Sequence, residues 1–278
     1  MSKKVVITGV SSGFGLAAAS TLLARGYHVF GSVRKKEDAT RVSELLKSQS
    51  FTPLLFDVTT PDAIYSSVAH VTNMLNGEGI TGLVNNAGIA PIGPLEHTSL
   101  KQLRQVFEVN VFGVLAVTQS FLPLLKLGEN GTAGRIVNIS SSSGGITFPM
   151  LGAYSASKYA LESLNDGLRR ELFRYDIPVI AIEPGSIRTP IWEKTARQDT
   201  GAEFSDTTYA KLMAQMPAFF EQQLQGAKPI TVVTNAIISA LEARKPRTRY
   251  PLDSLWYAGK YIGDRALDKI IRWRMPKG

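Results

Sequence analysis

A chain of 278 residues, 44% of them hydrophobic and 19% charged, is long enough to enclose the core of one large α/β domain. It contains no cysteine, which excludes disulfides and thiolate chemistry. Its formal charge of +8 sits almost entirely in the last 35 residues, where ten Lys/Arg stand against three Asp; the near-neutral remainder excludes a general nucleic-acid-binding surface.

From the N-terminus onward, short apolar runs alternate with amphipathic stretches of helical length. Residues 3–9, 28–33, 51–58, 80–88, 134–140 and 177–185 read as strands buried on both faces. Helices are predicted at Gly13–Arg25, Asp38–Ser48, Pro61–Asn76, Leu100–Lys126 and Ala153–Tyr175, the third opened by Thr60-Pro61. A helix over Thr231–Arg244 and a late strand near Arg247–Pro251 complete the pattern. This alternation predicts one domain over residues 1–278, a doubly wound parallel sheet of Rossmann type with helices on both faces. The chain enters its first strand at once, which predicts a cytoplasmic protein without a signal peptide. The most apolar stretch, "VNVFGVLAVTQSFLPLLKL", is interrupted by Gln119, Ser120 and Pro123 and is not expected to span a membrane.

The first strand runs into "TGVSSGFG", residues 8–15, and a helix follows directly. Glycines there permit a tight turn and close approach of the backbone to a pyrophosphate, which the helix N-terminus would attract. At the end of the second strand the sequence reads "VRKKED". No acid stands at Val33 to take ribose hydroxyls, and Arg34 offers a planar fork of donors suited to a 2′-phosphate, so the cofactor expected is NADP(H). Lys35 and Lys36 read as a solvated basic loop.

Residues 138–158, "NISSSSGGITFPMLGAYSASK", pass from a strand through four serines and two glycines to a helix start. Tyr154 and Lys158 are four apart and share one helix face. A phenol is a poor acid–base group at neutral pH, and an adjacent ammonium is expected to lower its pKa. His28, His70 and His97 lack ligand spacing, so no metal and no catalytic histidine are assigned.

Taken in order, "TGVSSGFG", "NNAG", "EVN", "NISS", "YSASK" and "EPGSIRT" resemble the motif set of the short-chain dehydrogenase/reductase family, across residues 1 to about 190. "GYHVFGSVRK" and "IEPGSIRTP" are similar to its branch of retinol and 17β-hydroxysteroid dehydrogenases. The resemblance implies that Tyr154 is the general acid of carbonyl reduction, or the base of alcohol oxidation. Lys158 would lower its pKa and bind the nicotinamide ribose. Ser141, thirteen residues before Tyr154, would hold the substrate oxygen, and Asn110 would position a relay water. Gly9, Gly13 and Gly15 would shape the pyrophosphate turn, with Ser12 as a phosphate contact. Asp57 would contact adenine, or else cap a helix. Asn86 and Gly88 would line the cofactor crevice, Thr189 would anchor the carboxamide with backbone help from Ile187, and Asn85 reads as a structural hydrogen-bonder.

Regular alternation stops over residues 186–228, the family's substrate lid, which holds Trp192, Phe204, Met213, Met216, Phe219 and Phe220. Met and aromatic groups suit an adaptable apolar pocket. Arg188 and Arg197 are isolated, so a lipophilic or aromatic ketone, aldehyde or alcohol is the expected substrate, with a 3-oxoacyl thioester as the alternative. A non-catalytic nucleotide-binding member of the fold is disfavoured, because the Tyr, the Lys and the glycines are all present. The basic extension over residues 252–278 mixes aromatics with cations as an interfacial helix does, but Gly259 and Gly263 weaken it. Docking onto the body or a second subunit is expected in preference to a membrane. Relatives dimerise through the helices placed here at Leu100–Lys126 and Ala153–Tyr175, and a homodimer is expected, with the charged tail opposing a tetramer.

Overall fold

In the computed structural model, which describes residues 3–188 and 203–275, the strands are β1 (Lys4–Ile7), β2 (His28–Val33), β3 (Phe51–Leu55), β4 (Gly82–Asn85), β5 (Arg135–Ile139), β6 (Val179–Glu183) and β7 (Arg249–Pro251). All pair in parallel, in the order β3-β2-β1-β4-β5-β6-β7. Sequence order therefore reverses between β1 and β4, and a crevice opens there at the carboxyl edge of the sheet. β3 is the outermost strand, which is why it accommodates Pro53.

Alternate strand residues supply two cores, one on each face. Val5 and Ile7 pack with α1 (Gly13–Ala24), α2 (Lys36–Leu46) and a late helix at Thr231–Glu242. Val6, with Phe30, Leu83 and Ile136, packs under α3 (Pro61–Leu75) and a helix at Gly113–Leu127. Beneath the crevice, a buried amide ladder crosses from strand to strand. Asn85 donates to Thr118 at 3.0 Å and to Asn138 at 2.9 Å, and Asn138 donates to Asn165 at 3.0 Å. Each amide would cost free energy if left alone in this core; joined, they fix register where β4 and β5 reach the site.

The helix expected over Leu100–Lys126 is not uniform. It comprises α4 (Leu100–Phe107), a π turn at Glu108–Phe112 and α5 (Gly113–Leu127). A Cβ at Gly113 would lie 2.8 Å from Val58 Cγ2 and 3.0 Å from the Glu108 carbonyl, so the widened turn is packed where only glycine fits. By length and composition the whole Leu100–Leu127 helix could cross a bilayer, contrary to the sequence expectation, yet Val117, Phe121 and Leu125 lie in the core. α6 (Gly152–Leu172) follows β5, and α7 (Ala210–Gln225) and α8 (Thr231–Glu242) precede β7.

Past β7 the tail forms α9 (Leu255–Tyr261) and α10 (Asp264–Arg274). The two glycines that weaken one long helix have definite places. Gly263 is the extended N-cap of α10, and a Cβ at Gly259 would lie 2.0 Å from the Gly145 carbonyl. α9 thus presses its backbone on the turn after β5, with Trp256 buried beside it. β7 is held by Arg249, which bonds Glu162 of α6, Asp166 of α6 at 2.8 Å and Glu183 of β6 at 2.8 Å.

Candidate active site

The glycine turn at the end of β1 is locked from both sides. Thr8 Oγ1 accepts from the Asn86 and Ala87 amides at 2.9 and 3.0 Å, and Asn86 Nδ2 donates back to the Thr8 and Gly9 carbonyls at 2.8 and 3.1 Å. The Gly9 amide donates to Ser32 Oγ of β2 at 3.0 Å. Gly9 and Gly13 have φ of +72° and +59°, where a side chain is strained. A Cβ at Gly15 would lie 2.3 Å from the Gly9 carbonyl. Ser12 caps α1 through extended backbone while its hydroxyl makes no capping bond, and no acid occupies the first turn. The helix N-terminus therefore keeps its positive pole for an anion, and the turn fits a pyrophosphate. Asn86 serves this crevice as the brace of the turn. Gly88 borders it, exposed, and a Cβ there would lie 3.2 Å from Asn110 Oδ1.

At the outer end of the crevice, Arg34 follows β2 with its side chain 71% exposed and lies 3.9 Å from Asp57. Asp57 Oδ1 accepts from the Thr59 amide and hydroxyl at 2.9 and 2.8 Å, a turn just ahead of α3. Asp57 is therefore not the cap of α3, which is Thr60, and its other oxygen faces Arg34. Arg41, which carried no signal in the sequence beyond its i,i+3 partner Asp38, reaches from α2 to the Ser11 carbonyl at 2.8 Å. One guanidinium group, that of Arg41, therefore stands at the turn before α1, and that of Arg34 stands beside Asp57.

Tyr154 and Lys158 stand on the first turns of α6. Lys158 is buried and donates to the Ile139 carbonyl at 2.8 Å; its Nζ lies 5.7 Å from the Tyr154 ring centre. Burial pushes the Lys158 ammonium down to about 8 and pushes the Tyr154 phenol above its usual range, with the Ser141 hydroxyl opposing the latter. The lowering of the phenol expected from the lysine is not found: burial raises it, and only the Ser141 hydroxyl opposes. Ser141 is extended, its Oγ accepts from the Ser143 amide at 3.1 Å, and it faces the Pro184 carbonyl at 3.5 Å. Asn110, in the π turn and fully buried, accepts from the Ile89 amide at 2.9 Å and donates to the Ile89 carbonyl at 2.9 Å and to Ser157 at 3.0 Å. Ser157 in turn donates to the Tyr154 carbonyl at 2.6 Å, a link the sequence reading did not make.

Tyr154 and Ser141 open into a cavity of about 1180 Å³, part of it open to solvent. Ile146, Phe148 and Leu151 line it, and from α7 so do Met216, Phe219 and Phe220. Met213 and Phe204 instead pack the lid, in a cluster with Ile92 and Met150. Ile187 is buried past β6 and bridges to Lys228. Thr189, Trp192 and Arg197 lie outside the described residues. The wall that sequence reasoning missed comes from the tail: Leu267, Ile270, Ile271, Arg274 and Met275. Its signal was present, as Leu267, Ile270, Ile271 and Arg274 follow the i, i+3, i+4, i+7 spacing of one helix face. His28 bonds Thr52 and His97 packs on Tyr209. Among the described residues no cluster of three His, Cys, Asp or Glu gathers.

A family model described as short chain dehydrogenase matches residues 3–200. The chain belongs to the short-chain dehydrogenase family. It is therefore an oxidoreductase. It is 42% identical over 271 residues to an NADPH-dependent 3-dehydrocapnine reductase of Ornithobacterium rhinotracheale, covering 96% of this chain and 95% of the relative. Retinol dehydrogenase 5 of Mus musculus is 32% identical over 296 residues, covering 98% and 89%. A crystal structure of a short-chain dehydrogenase from Streptomyces avermitilis superposes with a TM-score of 0.76 at 28% identity, over 98% of this chain and 96% of that one.

Proposed function

We propose that the protein, one functional unit over residues 1–278, reduces a lipophilic ketone or aldehyde with NADPH and runs the reverse oxidation at the same site. The observation that supports this reading is the opening of Tyr154 and Ser141 into a cavity whose other walls are mainly apolar, beside a turn shaped for a pyrophosphate. NADPH, when bound, supplies the hydride. Gly9, Gly13, Gly15 and Ser12 hold the pyrophosphate on the α1 N-terminus. Arg34 meets the 2′-phosphate with Arg41 behind it, and Asp57 borders the adenine. Asn86 and Gly88 shape the crevice, and Ile187 and Thr189 take the carboxamide.

Ser141 donates a hydrogen bond to the substrate oxygen, and Tyr154 gives that oxygen its proton. Lys158 binds the ribose and, when charged, stabilises the phenolate left behind. The Asn110 side chain is engaged by Ile89 and Ser157, so its part in a water relay falls to its main chain, in the π turn. The partner is a second copy of the chain, and the setting is the cytoplasm. Phe112 of the π turn and Leu115 and Gln119 of α5 follow one stripe outside the core clusters, suited to a two-fold contact.

The test is NADPH consumption with 3-dehydrocapnine, the compound in the Ornithobacterium relative's name, and with a series of ketones of increasing chain length, run beside NADH. Turnover with NADPH that rises with apolar length is expected. Equal use of both cofactors, or preference for small polar carbonyls, overturns the reading.

A further inference from the structure

The tail pair α9–α10 has one docked face and one bare face. Leu267, Ile270, Ile271 and Arg274 turn into the cavity, and Trp256 seats α9 against Gly145. The sequence reading sent the tail to the body or a second subunit in preference to a membrane, and it is this inner face that packs on the body. On the other side of α10 the helical period gathers Arg265, Lys269 and Arg272, all exposed. Trp273 flanks that row 81% exposed, and Tyr261, at the end of α9, is 80% exposed beside Lys260. Of the two acids on α10, Asp264 acts on Tyr159 of α6, and Asp268 alone opposes the cations.

Water is a poor solvent for an indole left this bare, whereas a headgroup layer takes its ring and its N–H together. Cations beside exposed aromatics on an amphipathic helix match an anionic bilayer surface in charge and polarity. A second copy seated on this face would bring like charges together across a two-fold axis. The face is also continuous with the site, because the helix that carries it is a wall of the apolar cavity.

We propose that α9–α10 seat the protein on an anionic bilayer surface, with Arg265, Lys269, Arg272 and Trp273 in the headgroup layer. The cavity wall then lies against the membrane from which a lipophilic substrate is drawn; this last clause rests on the function proposed above, and the docking itself does not.

The full-length protein is sedimented with vesicles of phosphatidylglycerol and phosphatidylcholine, and with phosphatidylcholine alone. Pelleting with the anionic vesicles, relieved by salt, is expected. The combined Arg265→Gln, Lys269→Gln and Arg272→Gln variant should partition about a hundredfold more weakly, at roughly fivefold per charge. Trp273→Ser should weaken partition to both vesicle types. Titration with NADPH, followed by its fluorescence, should match the parent and shows the variants folded. No pelleting at low salt, or equal partition of the triple variant, overturns the proposal. A light-scattering mass halved in the triple variant would assign the face to a second copy and overturn it too. Turnover of a water-soluble ketone is read separately, so vesicle binding without turnover sinks only the reaction, and turnover without vesicle binding sinks only the docking.

Discussion

Tyr154 and Lys158 lie one helical turn apart on α6, and burial acts on them in opposite senses, raising the phenol and lowering the ammonium to about 8. The two proton affinities, 10.0 and 10.5 in free side chains, are thus drawn apart, so the phenol holds its proton well above the pH at which the buried lysine gives up its own. Tyr154→Phe removes the donor with little change of volume. Turnover should fall by about 10²–10⁴-fold while NADPH titrates as in the parent, and a variant turning over at the parental rate would sink the assignment. At the far end of the crevice, Arg34 is largely exposed and, among the described residues, pairs with Asp57 at 3.9 Å. Arg34→Asp should therefore spare the fold and weaken NADPH selectively, by roughly 1.5–3 kcal/mol, the worth of a hydrogen bond to a charged group. Competitive titration of NADPH and NADH checks it: equal losses for both would remove Arg34 from the 2′-phosphate.

Element by element, what was legible in the chain is what local pattern carries. Five of the seven strands are short buried runs, whereas β3 and β7 at the two edges are half-exposed, contrary to the expectation for β3. Each appears where its run lies, all but β2 trimmed. The first is cut at Ile7 because Thr8 bonds sideways to β4 and Gly9 turns at positive φ. Tyr154, Lys158 and Ser141 were legible through the order of their motifs, and the amide ladder was foreshadowed only at Asn85. The π turn was not, since "EVNVF" reads as plain helix; it lies where Gly113 packs on Val58, 55 residues earlier in the chain. Arg41 and the tail wall escaped for the same reason, because they depend on contacts between remote segments. The contact of α9 on Gly145 is such a case. Gly259→Ala would set a Cβ 2.0 Å from the Gly145 carbonyl, so α9 must lift from the serine turn. A loss of roughly 1–3 kcal/mol in denaturant unfolding is expected, with a larger drop in kcat/KM for long-chain ketones than in NADPH affinity. Parental stability and turnover together would show that the tail does not brace the turn.

For the whole molecule, the outward stripe of α5 predicts a two-fold assembly. Leu115→Arg combined with Gln119→Arg should convert a dimer into a monomer in light scattering, whereas a tetramer mass for the parent would show that the charged tail does not oppose a second contact. A different property follows from the arginine that holds β7. Its single charge is divided among Glu162, Asp166 and Glu183, and Glu183 is wholly buried. Burial wins there and pushes its carboxyl from 4.5 up to about 8. The folded chain keeps a proton that the unfolded chain gives up, so the stabilisation is whole below pH 4.5 and drains away as pH rises through about 8. Tm should decline across that interval, and Glu183→Gln should flatten the decline; an unchanged slope would clear Glu183. Trp256 donates to the same carboxyl and Lys260 acts on it, and both favour its ionised form, so proton release tightens the hold of α9 while the buried charge weighs on the strand that carries it. Proton release at one buried acid is thereby felt at the β6–β7 edge before it reaches the cavity wall, and amide exchange over Arg249–Pro251 should quicken between pH 7 and 9 while α9 stays seated.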